Sequence, residues 1–220
     1  VTILGASLLG GALALDATSV GQLMVSRPLV AGLIAGSLAG DPHAGFMAGV
    51  ILEIYLLVAF PVGGARFPEG TTATVVAAVT AATYPEPGSL ALAVGLGLVW
   101  GQLGGWSVSA LRTLNCLIAP DPVRPAVPPA RVVSAHLLAV LLDFVRGALM
   151  TGSGVWFAGL AVERLAGRWS LGLQDTTGLL LVGAAVSVGI LLQSFGGFRR
   201  RRVLFVTGLA LGMLGGVLLP

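Results

Sequence analysis

Of the 220 residues, 56% are hydrophobic and only 10% charged, and the mean hydropathy is +0.98. A soluble domain carries about 25% charged residues, so a water-soluble fold is excluded; the expected class is an all-α polytopic membrane protein with broken or re-entrant half-length segments. The net charge of +3 and pI near 10.0 come from twelve Arg and no Lys; these Arg lie at segment ends, as cytoplasmic anchors do, so nucleic-acid binding is not expected.

The first apolar run, Ile3–Leu15, lacks a basic region ahead of it and is read as part of the fold rather than as a signal peptide. Asp16 interrupts it, either as a helix cap near the interface or as an acid facing a cavity. Thr18, Ser19 and Gln22 prolong the polar signal for about two helical turns. Arg27-Pro28 reads as an interfacial anchor with Pro at a helix start, where its missing N–H costs little.

The stretch from Gln22 to Glu69 organises the chain. Two apolar pieces, Pro28–Gly40 and Ala44–Phe60, are separated by Asp41-Pro42-His43, and the second ends in Pro61-Val62-Gly63-Gly64. The first is short for a crossing, which takes roughly 20 apolar residues. Within it and its neighbour, Gly36/Gly40 and Gly45/Gly49 have the small-xxx-small spacing of close helix packing. His43 beside Asp41 reads as an interfacial turn. Glu53 is the lone acid of the second piece. It lies about nine residues beyond Ala44, near mid-bilayer at 1.5 Å per residue. An ionised acid there costs at least about 2.5 kcal/mol, so a role is expected: a substrate ligand, or a structural partner for Arg27, Arg66 or Arg146. A half-length segment, a Pro/Gly break and an acid at membrane depth together suggest a transporter's substrate site.

Arg66 and Glu69 follow in a Gly/Pro-broken segment, either a solvated loop or a re-entrant loop lining a cavity. Thr71–Thr83 is again half-length, and Tyr84–Gly88 is a turn. Ser89–Trp106 is a span with Trp100 and Trp106 as interface residues. Five prolines between Arg112 and Arg131 predict a stiff, extended linker joining two apolar halves of one membrane domain, residues 1–220. Arg131–Val162 is one long span or a span plus a half-helix. Asp143 and Arg146 on it are three apart and share a helical face, as a pair orienting two helices or as ligands. Glu163, Arg164 and Arg168 form a polar loop, and Thr176–Phe195 and Val203–Leu219 flank Arg199–Arg202. The linker and the four-Arg run hold seven Arg against two at Arg164 and Arg168, which favours a cytoplasmic position for both. Cys116 is the one cysteine, so no intrachain disulfide can form; it is read as a small buried hydrophobe.

Motifs for soluble chemistry are missing: no P-loop, no zinc spacing, no Gly-x-Ser-x-Gly elbow. No cofactor, metal or catalytic residue is expected. An intramembrane hydrolase built on His136 and Asp143 would lack a nucleophile.

In order, Asp16, Gln22, Ser26-Arg27-Pro28-Leu29-Val30-Ala31-Gly32, Gly40-Asp41, Gly45, Leu52-Glu53 and Pro61-Val62-Gly63-Gly64 resemble the IIC membrane subunit of the mannose/sorbose class of bacterial phosphotransferase systems. His136 with Arg146 on one apolar segment resembles that family's second half. The likeness covers most of the chain and is strongest from Asp16 to about Val79; Glu69 stands where the family pattern has Asp. The resemblance implies a sugar permease subunit, multi-pass in the bacterial inner membrane. It also implies a IID partner in an oligomeric complex, and a cytoplasmic IIB, phosphorylated by IIA, that phosphorylates the entering sugar. Phosphoryl chemistry then lies off this chain. The resemblance further implies that Glu53 accepts hydrogen bonds from sugar hydroxyls, as an acceptor-only carboxylate does, with Asp16, Gln22, Arg27, Glu69, His136 and Arg146 lining or bracing the site. The alternatives are a different small-substrate permease, a substrate-binding membrane subunit of another uptake system, or a degenerate IIC without partners.

Overall fold

The computed structural model describes residues 2–57, 66–85, 88–121, 127–165, 173–194, 196, 199, 202–208 and 210–211. The Pro61–Gly64 break lies outside the described residues, as do Glu86, Arg124, Arg168, Arg200 and Arg201. The helices are α1 (Ile3–Thr18), α2 (Pro28–Ala39), α3 (Pro42–Leu56), α4 (Gly70–Thr83), α5 (Ser89–Ile118), α6 (Pro129–Leu165) and α7 (Leu173–Ser194), with a further helical stretch at 202–208. No strand occurs among the described residues. The protein is an all-α membrane protein.

The break at Gly40-Asp41 is made by two caps back to back. Gly40 closes α2 with φ 101°, a left-handed conformation that glycine adopts without a Cβ penalty, and the Asp41 N–H reaches back to the Gly36 carbonyl at 3.0 Å. The Asp41 carboxylate then accepts the Ala44 N–H at 2.9 Å and starts α3, with Pro42 in its first turn. The chain therefore reverses within two residues and α2 packs along α3. Their contact is glycine on glycine: a Cβ on Gly36 would meet the Gly45 Cα at 2.6 Å, and one on Gly32 the Gly49 Cα at 2.8 Å. Gly40, by contrast, has open space around it. Its place in a small-xxx-small pair is a coincidence of spacing; the turn, not packing, requires it.

Helix α4 is the centre of the bundle. Every residue from Thr71 to Ala81 is buried, because α4 packs against α1, α2, α3, α5 and α6. Its sequence carries only small and β-branched side chains, uncharged around the whole circumference, as suits a helix enclosed by others. Three of its threonines satisfy themselves: Thr74, Thr80 and Thr83 donate to carbonyls one turn back at 2.7 Å.

Helices α5 and α6 are 30 and 37 residues long, about 45 and 55 Å at 1.5 Å per residue, against a hydrocarbon core of about 30 Å. Arg131–Val162 is thus part of one unbroken helix. Helix α5 continues through Arg112, because Arg112–Ile118 contains no proline, and the linker shortens to 119–128. Both helices outrun the bundle at this end. On α6 no residue ahead of Asp143 is buried, and Cys116 is exposed, not the buried hydrophobe expected of a lone thiol. Trp100 is half-buried, and its indole N–H donates to the Met150 carbonyl at 2.7 Å and ties α5 to α6. Trp106 is exposed.

Candidate functional site

The site begins where α1 stops. Residues 19–27 form an irregular loop back to α2, and Asp16, in the last turn of α1, holds it: Oδ1 accepts the Leu23 N–H at 2.6 Å and Oδ2 the Ser26 N–H at 2.8 Å. Gln22 (φ 51°) and Met24 (φ 67°) are left-handed, which costs a non-glycine residue about 1 kcal/mol or more. Irregular backbone among apolar helices survives where it lines a cavity, and this loop does: Asp16, Gln22, Met24 and Ser26 all face one. Asp16 is therefore both a structural tether and a cavity acid.

Arg27 follows as the N-cap of α2. Its guanidinium forms an ion pair with Glu53, in the last turns of α3. The second Glu53 oxygen faces the Leu29 N–H at 3.3 Å, at the positive end of the α2 dipole. The pair keeps contact with solvent, with side chains 30% and 17% exposed.

Deeper in the bundle lies a second charge group. Glu69 precedes α4, and its N–H donates to the Gly101 carbonyl at 2.8 Å. Its carboxylate lies over the flat that Gly104 leaves on α5, where a Cβ would meet Oε2 at 2.5 Å. Arg146 grips it with both terminal nitrogens, at 2.8 and 2.9 Å, the bidentate geometry that suits a guanidinium and a carboxylate. The same guanidinium reaches Asp143 at 3.0 Å and the Ser107 hydroxyl at 3.1 Å. Thr72 donates to Glu69 at 2.5 Å, and Thr18 (at 2.5 Å) and Ser19 donate to Asp143. Two carboxylates and one guanidinium, each side chain 9% exposed or less, thus join α1, α4, α5 and α6. Asp143 and Arg146 form the pair that the helical spacing suggests, and through Glu69, Thr18 and Ser19 that pair joins helices.

These groups surround a cavity of about 460 Å³ lined by Asp16, Gln22, Arg27, Glu53 and Glu69, with Phe67 and Val108 among its apolar walls. That size falls in the range of small-molecule sites, roughly 300–1,000 Å³. Of the seven residues expected at the site, five line it and Arg146 braces one of the five. His136 is not brought in: it is exposed, two turns ahead of Asp143 on the part of α6 that outruns the bundle. Arg66 is exposed as well. Thr72, Ser107 and Phe67 were not singled out from sequence; the glycines at 97, 101, 104 and 105, which make the flat of α5, were the available signal. Among the described residues no His, Cys, Asp or Glu side chains group as metal ligands do, and His136 and Asp143 form no hydrolytic pair.

Short helices and an irregular loop surround a polar cavity, in a bundle with two helices among the described residues long enough to cross a bilayer, an arrangement that suits a solute-transporting membrane subunit. The model of the family described as "PTS system sorbose-specific iic component" matches residues 2–193, and the chain belongs to that family, the sugar-transport IIC components of the mannose/sorbose class. It is accordingly a membrane-integral transport subunit of a phosphotransferase system. A search of curated proteins found no match. Among solved structures the chain is similar to one described as "Structure of membrane protein", with 20% identity, a TM-score of 0.65, and coverage of 98% of this chain and 90% of that one; this likeness concerns the fold.

Proposed function

We propose that this chain carries a sugar inward across the bacterial inner membrane as a multi-pass subunit. It works in an oligomeric complex with a IID partner and delivers the sugar to IIB, itself phosphorylated by IIA. Glu53 is the principal sugar ligand. One observation carries the choice among the three cavity carboxylates. Asp16 and Glu69 each have both oxygens within 2.9 Å of a protein donor. Among the described residues Glu53 has one oxygen on Arg27 and the other met only by the more distant Leu29 N–H, so it keeps the most acceptor capacity for incoming hydroxyls. Arg27, with five N–H donors on its guanidinium, faces the same space, and the exposed Gln22 amide adds a donor and an acceptor. Asp16, Glu69 and Arg146 hold the walls in place. His136 has no part in this reading.

The test is Glu53→Gln, which keeps the shape and exchanges one acceptor oxygen for a donor. The variant is expected to insert normally, keep its IID partner, and lose sugar binding and uptake. Binding at wild-type affinity by a well-folded Glu53→Gln complex would refute the assignment and leave Glu53 as the structural partner of Arg27.

A further inference from the structure

A second, smaller cavity of about 260 Å³ adjoins the first: Ala17, Thr18, Gln22 and Val108 line both. Its remaining walls include Leu111, Arg112 and Asn115 of α5 and Asp143 of α6. Position along α5 gives it a direction. Val108 is the α5 residue that lines the first cavity. Asn115, in the wall of the second, is seven residues beyond it, about 10 Å further along the helix, toward the linker at 119–128. The second cavity therefore continues the first toward the end where α5 and α6 outrun the bundle.

Its chemistry is that of a site for a neutral, hydroxylated solute. The walls carry one cation and one anion, Arg112 and Asp143, and so favour neither an anionic nor a cationic occupant. The Asn115 amide oxygen is buried and accepts no hydrogen bond among the described residues. A buried acceptor left unpaired costs about 1–3 kcal/mol, and an incoming hydroxyl would remove that cost. Between the cavities, the Thr18 hydroxyl is turned to Asp143, and Gln22 sits on the strained left-handed loop.

We propose that this second cavity is a transit subsite: sugar bound at Glu53 passes the neck formed by Thr18, Gln22 and Val108, and is received by Asn115 on its way to the linker end. The inference rests on the sugar-transport reading of the first cavity and adds to it a second station and a direction.

The experiment uses the complete complex with its IID partner, and labelled sorbose and mannose as probes. Leu111→Trp fills the second cavity and Asn115→Leu removes its acceptor; neither residue touches the first cavity. Binding to the solubilised complex and uptake into membrane vesicles are measured on the same preparations. The expected result is a dissociation constant within about twofold of wild type, with uptake reduced about tenfold or more. Asn115→Ser, smaller and still polar, replaces any variant that fails to accumulate. Wild-type uptake by a folded Leu111→Trp or Asn115→Leu complex overturns the transit subsite. Loss of binding together with uptake overturns it too, since the two cavities would then be one site. A wild-type complex that binds neither sugar removes the reading of the first cavity, and this inference with it.

Discussion

Replacing Arg146 with Met tests whether the buried charge group holds the bundle together. The substitution conserves much of the apolar stem and deletes the guanidinium, leaving Glu69 and Asp143, each 3% exposed, as two anions without their common counter-charge. Thr72, Thr18 and Ser19 still donate to them, but hydroxyl dipoles do not neutralise a carboxylate pair. Breaking a buried ion pair from one side costs about 3–5 kcal/mol, a large part of a total stability of about 5–15 kcal/mol. The Arg27–Glu53 pair provides the internal contrast. It is partly open to solvent, and breaking it by Arg27→Met should cost less than breaking the deeper group, since solvent screens the remaining charge. Heating the detergent-solubilised complex in steps and recovering the folded fraction by size exclusion should show Arg146→Met melting roughly 10 °C below wild type, with Arg27→Met close to wild type. Neutralising the orphaned acids in a triple variant, Arg146→Met with Glu69→Gln and Asp143→Asn, should return most of the loss. An Arg146→Met protein as stable as wild type, or a triple variant no better than the single one, would refute the reasoning.

Gly104→Ala should lower stability by about 1–3 kcal/mol, because the added methyl displaces the Glu69 carboxylate; the same melting assay reads it. Asp41→Ala removes the α3 cap and should cost about 1 kcal/mol while leaving sugar affinity unchanged. Arg112, Arg131 and Arg199 are expected on the cytoplasmic side. Single cysteines placed beside them, in a Cys116→Ser background because Cys116 is exposed, should resist an impermeant reagent added outside spheroplasts. The chain should co-purify with a IID-like protein in mild detergent, and transport by the isolated chain would contradict that dependence.

What could be read from the residues was local. The reversal at Gly40-Asp41-Pro42 follows from one glycine, one capping acid and one proline within three positions, and it is where the structure turns. The Asp143–Arg146 pair follows from helical spacing and is formed at 3.0 Å. The errors share a cause as well. Gly40 fits a packing motif by spacing yet serves a turn; Cys116 is apolar enough for a core yet sits on a helix that outruns the bundle. Each depends on which helix lies alongside, and composition along one strand of sequence does not contain that.

The same limit bears on the acids, where it decides the functional reading. In the sequence Glu53 is the isolated acid and Glu69 one polar residue in a broken loop, so Glu53 draws attention by its apparent lack of a partner. In space neither is alone: Glu53 meets Arg27 across 26 residues and Glu69 meets Arg146 across 77. Isolation in sequence therefore cannot be the argument for a ligand. Remaining capacity can. Glu69 is held on both oxygens by a guanidinium that also binds Asp143 and Ser107, and withdrawing it toward a sugar would unmake the joint between α1, α4, α5 and α6. Glu53 can exchange its weaker contact at Leu29 for a hydroxyl without disturbing any helix. A transport site must release its ligand as readily as it takes it, and the proposed role falls to Glu53 because, of the three cavity acids, it has the weakest contacts among the described residues.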